Sequence, residues 1–107
     1  MERIFEHILQ LIDKGQVNIS DHGYDELAAD NLFVREIIES VKRDKIIEEY
    51  PDFHKGPCIL ILQEDRNGSP VHVVWGIPKG KTSPAVLITA YRPDPDLWEP
   101  DNLRRKK

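Results

Sequence analysis

The chain has 107 residues, of which 39% are hydrophobic and 32% charged, and its formal net charge is −4. This length fits one hydrophobic core and is too short for two ordinary domains, while no apolar run approaches the roughly 18 residues that span a bilayer. Cys58 is the one cysteine, which excludes an internal disulfide and a cysteine-rich zinc site. The N-terminus "MERIFEHILQ" carries charges within its apolar stretch and is unlike a signal peptide, so we expect a cytoplasmic protein.

The first part of the chain has the apolar period of amphipathic helices. A first helix is predicted from Ile4 until Gly15 ends it, because apolar residues recur there every three or four positions. A short extended link, "QVN", follows. A third helix is predicted over Phe33 to Arg43. Its predicted buried residues are Val34, Ile37, Ile38 and Val41.

The second helix lies between these two and has recognisable ends. Ser20 or Asp21 can cap its N-terminus with a side-chain oxygen. Asn31, which tolerates a left-handed backbone, suits the residue just after a helix that ends near Asp30. The predicted inner face of this helix consists of Tyr24, Leu27 and Ala28.

From residue 45 onward, short apolar runs predict four strands. They cover Lys45–Tyr50, Cys58–Gln63, Val71–Ile77 and Ala85–Arg92. The second run is apolar on both faces and is therefore expected in the centre of the sheet. Asn67-Gly68 is a strong hairpin signal between the second and third runs. Short connections predict an α+β fold in which three N-terminal helices pack on one face of a four-stranded antiparallel meander sheet.

The end of the chain is expected to contribute little to this fold. Three of the eight prolines follow Arg92, and proline interrupts regular structure. We therefore expect a single domain over residues 1–98, to which Leu97 and Trp98 dock the chain, and a frayed basic tail over residues 99–107. Charge is uneven as well, at −7 for residues 1–53 and +3 for residues 54–107. A polyanion is therefore expected to meet the C-terminal half.

No phosphate-binding glycine loop and no histidine pair with metal-ligand spacing is present in the sequence. We expect no metal and no cofactor, so any action on a phosphodiester would have to use side chains alone. Cleavage of RNA in this way needs a base for the 2′-hydroxyl proton, an acid for the leaving 5′-oxygen, and a cation near the phosphate. DNA lacks that internal nucleophile, so such a site is specific for RNA.

Four residues are candidates for this chemistry. His22 opens the second helix, and His72 interrupts an otherwise apolar strand. Tyr91 and Arg92 end the last strand, where a guanidinium could bind a phosphate in bidentate fashion. The strand register decides whether Tyr91 faces the same side as His72, and the sequence leaves the register open. We expect one histidine to act as base and the other as acid, Arg92 to stabilise the phosphate, and Tyr91 to orient the substrate or donate a proton.

Each candidate also has a structural interpretation. His22 could be a polar residue near a helix cap, His72 a hydrogen-bonded core histidine, and Arg92 the partner of Asp94 or Asp96 in a salt bridge. Three further residues are candidates for substrate binding. They are Lys79 and Lys81, in the loop before the last strand, and Thr89, which shares a strand face with Tyr91.

Several segments together resemble a family of small bacterial and archaeal proteins known as a domain of unknown function. These segments are a helix-opening His22, "IIEEYP" (46–51), "GPCIL" (56–60), "PVHVV" (70–74), and "ITAYRPD" (88–94) followed by Trp98. The resemblance covers residues 19–98. The family in turn is similar to toxins of toxin–antitoxin modules of the RelE, ParE and BrnT type. The resemblance implies a RelE-like fold, an endoribonuclease with His22, His72, Tyr91 and Arg92 in its site, and a cognate antitoxin, often of the MqsA/YgiT zinc-finger type.

The sequence departs from this family at two places in the second helix. The family usually has Glu-Arg shortly after the histidine, where this chain has Glu26-Leu27, and Arg-Gly before the next helix, where it has Asp30-Asn31. Two cations expected near the substrate are thus missing. The leading hypothesis is a metal-independent endoribonuclease toxin of a type II toxin–antitoxin module, or a weakened derivative. The alternatives are a non-catalytic toxin-like module that binds a protein partner, and a small structural domain.

Overall fold

A computed structural model describes residues 4–43 and 45–106 of the chain, without the side chain of Arg43. The helices are α1 (Ile4–Asp13), α2 (Asp21–Ala29) and α3 (Val34–Ser40), and a 3₁₀ turn (Val41–Arg43) continues α3. The strands are β1 (Val17–Ile19), β2 (Lys45–Tyr50), β3 (Cys58–Glu64), β4 (Pro70–Gly76) and β5 (Ala85–Tyr91). The three predicted helices and four predicted strands are therefore confirmed, with ends that shift by a few residues.

The sheet has five strands in the order β1-β5-β4-β3-β2. Strands β2 to β5 form the predicted antiparallel meander. The prediction of a four-stranded, wholly antiparallel sheet is wrong, because residues 17–19, which overlap the "QVN" link, form β1. This strand pairs parallel to β5, with Val17 opposite Ala85. Three residues are too few to show the alternation of a strand. The pairing is extended by backbone hydrogen bonds such as the one that Ala85 N donates to Gln16 O at 3.0 Å. These partners are almost 70 positions apart, so the local sequence around β1 does not indicate the pairing.

The helices cover one face of the sheet, here called the inner face. Alternate residues of β4, Val71, Val73 and Trp75, are buried there together with apolar residues of all three helices. Because successive residues of a strand point to opposite faces, His72 and Val74 project to the other side. We call this side, which the helices leave uncovered, the outer face.

A buried polar network fixes the register of the central strands. The side-chain amide of Gln63 donates to Ile37 O at 2.6 Å and to Ser40 Oγ at 2.9 Å, and its oxygen accepts from the Trp75 indole at 2.8 Å. Unpaired polar groups at this depth would be unfavourable, and a slip of one residue would turn these side chains to the outer face. The network therefore helps to keep His72 on the outer face.

Helix α2 packs closely against β5 through a face that only partly matches the predicted one. The cap prediction is confirmed, since Ser20 Oγ accepts from Gly23 N at 2.9 Å, and Asn31 has the expected left-handed backbone, with φ of 56°. Tyr24, however, is 56% exposed, and Ala28 is exposed as well. Leu27 is buried as predicted, but Gly23 is buried in place of Tyr24 and Ala28. The helix lies so close to β5 at this point that a Cβ at residue 23 would be 2.9 Å from a β5 carbonyl. The absent side chain of a glycine thus decides which face of α2 meets the sheet.

Residues 97–106 are folded, although a frayed tail is predicted over residues 99–107; Lys107 lies outside the described residues. Residues 97–106, here called the strap, form a hairpin-like turn in which Trp98 pairs with Arg105. Glu99 N donates to Arg104 O at 2.8 Å, and Lys106 N donates to Leu97 O at 2.9 Å. Trp98 docks as expected and is buried, whereas Leu97 is 61% exposed. The strap lies against the outer face of the sheet through Trp98.

Within the described ranges, none of the helices has the length and apolar character needed to cross a bilayer.

Candidate functional site

His72 lies on the outer face in β4, the central strand of the sheet, and pairs with Tyr91. The two residues are cross-strand neighbours in the register of β4 and β5. Their rings are 5.3 Å apart at an angle of 69°, and Nδ1 of His72 is 3.3 Å from the Tyr91 hydroxyl. The register therefore brings two of the four predicted catalytic residues into contact.

The strap covers this pair. The Trp98 ring lies 4.3 Å from the His72 ring, almost perpendicular to it, and Nε2 of His72 is 2.7 Å from the carbonyl oxygen of Asn102. A carbonyl can only accept a hydrogen bond, so Nε2 carries the proton and Nδ1 accepts from the Tyr91 hydroxyl. The imidazole is 0% exposed, as the structural interpretation of a satisfied, buried histidine expects.

Strand β2 adds two polar side chains to the same face. Glu48 pairs with Leu60, which in turn pairs with Val74, so Glu48 shares the face of His72. The Tyr50 hydroxyl donates to one carboxylate oxygen of Glu48 at 2.9 Å, and the Arg105 guanidinium of the strap donates to the other. We call Glu48, Tyr50, His72 and Tyr91 the outer-face cluster.

Glu48, Tyr50 and Arg105 were not among the residues that the sequence analysis singled out. The spacing of Glu48 and Tyr50, two residues apart in a predicted strand, was a usable signal, since it places both on one face. Arg105 gave no such signal, because the tail that carries it was expected to be frayed.

The surroundings of the cluster shift three pKa values. Burial lowers the pKa of His72, the hydrogen bond to the Asn102 carbonyl opposes this in part, and the nearby Arg105 charge, the smallest of the three effects, lowers the pKa further. Burial raises the pKa of Tyr91. Burial and the hydrogen bond to Glu48 raise the pKa of Tyr50. At neutral pH the cluster therefore contains an uncharged imidazole and two protonated phenols.

The lowered pKa of His72 predicts a pH dependence of stability. Above about pH 6.5 the imidazole is neutral in both the folded and the unfolded chain. As the pH falls below that value the unfolded chain binds the proton first, so the free energy of unfolding should decrease. Urea denaturation at pH 7.5 and 5.5 measures this loss. His72→Gln, which does not titrate, should lose less stability over the same interval, and an equal loss would contradict the prediction.

His22 lies apart from this cluster. It is in the first turn of α2, with Nε2 3.5 Å from a Glu26 carboxylate oxygen. Helix α2 runs along β5, since Ser20 Oγ donates to Ile88 O at 2.7 Å and Arg92 N donates to Asp30 Oδ2 at 3.2 Å. Its nine residues are about 13 Å long, so His22 lies near the opposite end of β5 from Tyr91. It lines a separate, mostly apolar recess with Phe53 and Lys55.

Arg92 also turns away from His72. Its guanidinium donates to Asp65 Oδ2 at 3.0 Å and to the carbonyl of Asp30 at 3.4 Å. Burial alone would raise the pKa of Asp65, but hydrogen bonds from the Ser69 backbone and from Arg92 together lower it. The ion pair expected with Asp94 or Asp96 is formed with Asp65 instead. The two acids that hold Arg92 leave it poorly placed to bind a phosphate at His72.

The three predicted substrate-binding residues are divided between the two ends of the sheet. Lys79 and Lys81 are exposed in the loop between β4 and β5, at the far end of these strands from His72. Thr89 pairs with Val74, next to the pair of His72 and Tyr91 and on their face. Among the described residues, no group of three or more His, Cys, Asp or Glu side chains could hold a metal ion.

Comparison with known proteins gives one match. A family model described as a domain of unknown function (DUF4258) matches residues 19–92. No curated protein matches the chain, and no solved structure matches it. The matched range includes all four residues of the outer-face cluster and ends before the strap.

Proposed function

Because the chain belongs to the DUF4258 family, whose function is unknown, we propose a function from the outer-face cluster. The protein is a metal-independent endoribonuclease toxin of a type II toxin–antitoxin module, with a cognate antitoxin as its partner. The observation that carries the proposal is the presence of two hydrogen-bonded pairs on the helix-free face, His72 with Tyr91 and Glu48 with Tyr50. An antiparallel meander with helices on one face is also the arrangement that a RelE-like fold would have.

The proposed roles differ from those expected for His22 and Arg92, which lie outside the cluster. His72 is the base, because its lowered pKa keeps it neutral and able to accept a proton. Tyr91 is the acid that protonates the leaving oxygen. Lys45 supplies the cation, since it is exposed and lies in the cross-strand row of Leu62 and His72. It also lines a recess together with Asn102.

The reaction is a transfer of the phosphodiester to the neighbouring 2′-oxygen. Once Nε2 is released from the Asn102 carbonyl, the neutral imidazole carries its proton on Nδ1, which donates a hydrogen bond to the Tyr91 oxygen, so that Nε2 is free to accept. Nε2 then takes the proton from the 2′-hydroxyl, the 2′-oxygen forms a bond to phosphorus, and the bond from phosphorus to the 5′-oxygen breaks. Nδ1 passes its proton to the Tyr91 oxygen while the Tyr91 hydroxyl proton moves to the 5′-oxygen. The products are a 2′,3′-cyclic phosphate and a 5′-hydroxyl, and His72 ends as the other tautomer. Glu48, bonded to Tyr50, would help to position the substrate.

A non-catalytic toxin-like module that binds a protein partner is the second candidate. The complete burial of His72 under the strap favours it, since a substrate cannot touch a buried base. The apolar recess at the other end of the sheet, where Phe53 is 44% exposed, is a surface that a protein partner could cover. This candidate predicts binding of the antitoxin without cleavage of RNA.

Cleavage in the presence of EDTA tests the proposal. The purified protein without antitoxin should cut single-stranded RNA into fragments with 2′,3′-cyclic phosphate ends, identified by mass spectrometry. The same sequence as DNA, or with 2′-O-methyl groups, should stay intact because the nucleophile is absent. Equal cleavage of DNA would contradict the mechanism. Intact RNA with both the wild-type chain and variants that expose His72 would favour the binding module.

A further inference from the structure

We infer that the strap (residues 97–106) is an autoinhibitory segment that closes the outer-face cluster and must move away before RNA can reach His72. This inference rests on the proposed ribonuclease function. It adds a regulatory step to that function and assigns a role to the part of the chain that follows the matched family region.

The strap occupies the positions that a substrate would need. The carbonyl of Asn102 is hydrogen-bonded to Nε2 of His72. Nε2 is the atom that has to accept the proton of the 2′-hydroxyl, so the strap blocks it. The Trp98 indole packs against the imidazole, with 4.3 Å between the ring centroids. Arg105 neutralises Glu48, so the one acidic residue of the cluster is paired while the strap is closed.

The attachment of the strap is limited. Trp98 is its one fully buried side chain, and Leu97, Asp101 and Arg105 are exposed. Its backbone hydrogen bonds, such as those between Glu99 and Arg104 and between Asn102 and Glu99, run within the strap. The ion pair of Arg105 with Glu48 is partly exposed, and such pairs contribute little to stability. Release of one indole, of the Asn102 hydrogen bond to His72 and of this ion pair therefore opens the site, while the core on the inner face stays intact.

The charge of the strap suits a segment that RNA can displace. Arg104, Arg105 and Lys106 form a basic run at its end, and these residues border one surface recess. A polyanion competes with Glu48 for Arg105, because phosphate oxygens, like carboxylate oxygens, accept charge-assisted hydrogen bonds from a guanidinium. The RNA backbone thereby draws the strap off the same face on which it then binds.

The test uses full-length variants and two measurements. Trp98→Ala removes the indole, and Asp101→Ala removes the side chain that accepts from Leu103 N and from Arg104, which loosens the turn without touching the sheet. Modification of His72 by diethyl pyrocarbonate at pH 7 reports exposure, and cleavage of RNA in EDTA reports activity. Leu97→Ala is the matched control, because its side chain lies in the strap but points to solvent.

Both strap variants should make His72 reactive at a rate near that of the exposed His54, and both should cleave RNA at least about tenfold faster than the wild type. The control should match the wild type in both measurements.

If His72 stays protected in both variants while circular dichroism shows a folded chain, the strap is not a cover and the inference is wrong. If His72 becomes reactive and cleavage does not rise above a measurable wild-type rate, the strap is not inhibitory. If His72 is reactive and no form cleaves RNA, the proposed ribonuclease function itself fails, and the inhibitory role with it.

Discussion

Replacement of His72 by alanine is expected to reduce RNA cleavage by a factor of about 10² to 10⁴, the usual contribution of one proton-transfer group. The reason is that His72 is the one histidine in the cluster and is bonded to Tyr91 through Nδ1. Initial rates in EDTA, measured in the wild-type chain and again in the Trp98→Ala background, give the effect with the strap closed and open. If the rate of RNA cleavage falls by the same factor in the Trp98→Ala background, the loss is due to the missing proton-transfer group and not to a change in the exposure of the site.

A matched histidine variant controls for this result. His54 is exposed in the loop between β2 and β3 and lies outside the cluster, so His54→Ala should cleave at the parental rate. His72→Gln keeps a side chain that can donate to Asn102, and should fold like the wild type yet cleave as poorly as His72→Ala. Cleavage by His72→Ala at the parental rate would remove His72 from the mechanism.

Replacement of Gly56 by alanine is expected to cause the largest loss of stability among simple substitutions in this fold, at least about 3 kcal/mol. The backbone of Gly56 has a φ of 126°, and an added Cβ would lie 2.1 Å from Ile77 O and 2.7 Å from Lys79 N. These are backbone atoms that cannot move aside without breaking the contact between the β2–β3 loop and the end of β4. Urea denaturation at pH 7.5 measures the loss, or shows that no folded form remains.

Gly80 is the matched control for this prediction. It also has a positive φ, of 76°, but nothing lies within 4 Å of the position of an added Cβ. Gly80→Ala should therefore cost only the backbone strain, about 1 kcal/mol. Similar losses for the two variants would show that the crowding around Gly56 is relieved by small movements.

The sequence predicted most of the fold because the strands carry their own pattern. The apolar run of β3 and the Asn67-Gly68 turn placed the central hairpin within a residue or two of its observed ends. Strand β1 was missed because it is three residues long and exists only through its pairing with β5. The inner face of α2 was predicted correctly at Leu27 but wrongly at Tyr24, because helical periodicity favours large apolar residues, whereas close packing on β5 requires Gly23.

The site was only partly predictable for the same kind of reason. His72 and Tyr91 were found as polar residues in apolar strands, and the register that joins them could not be read from the sequence. His22 and Arg92 looked equally suitable, yet α2 holds one near the far end of β5 and Asp65 holds the other. Arg105 and Asn102 belong to a segment with no periodic pattern. Their contacts arise from tertiary packing alone.

The parallel pairing of β1 with β5 has a consequence for the order in which the protein folds. Residues 17–19 join residues 85–87, so β1 leaves the ribosome long before its partner exists. The β2–β3 and β3–β4 hairpins join neighbouring segments and close early, because contacts between residues close in sequence form fastest. The N-terminal edge of the sheet closes only when β5 has been synthesised, and chains that stop before residue 85 keep β1 unpaired.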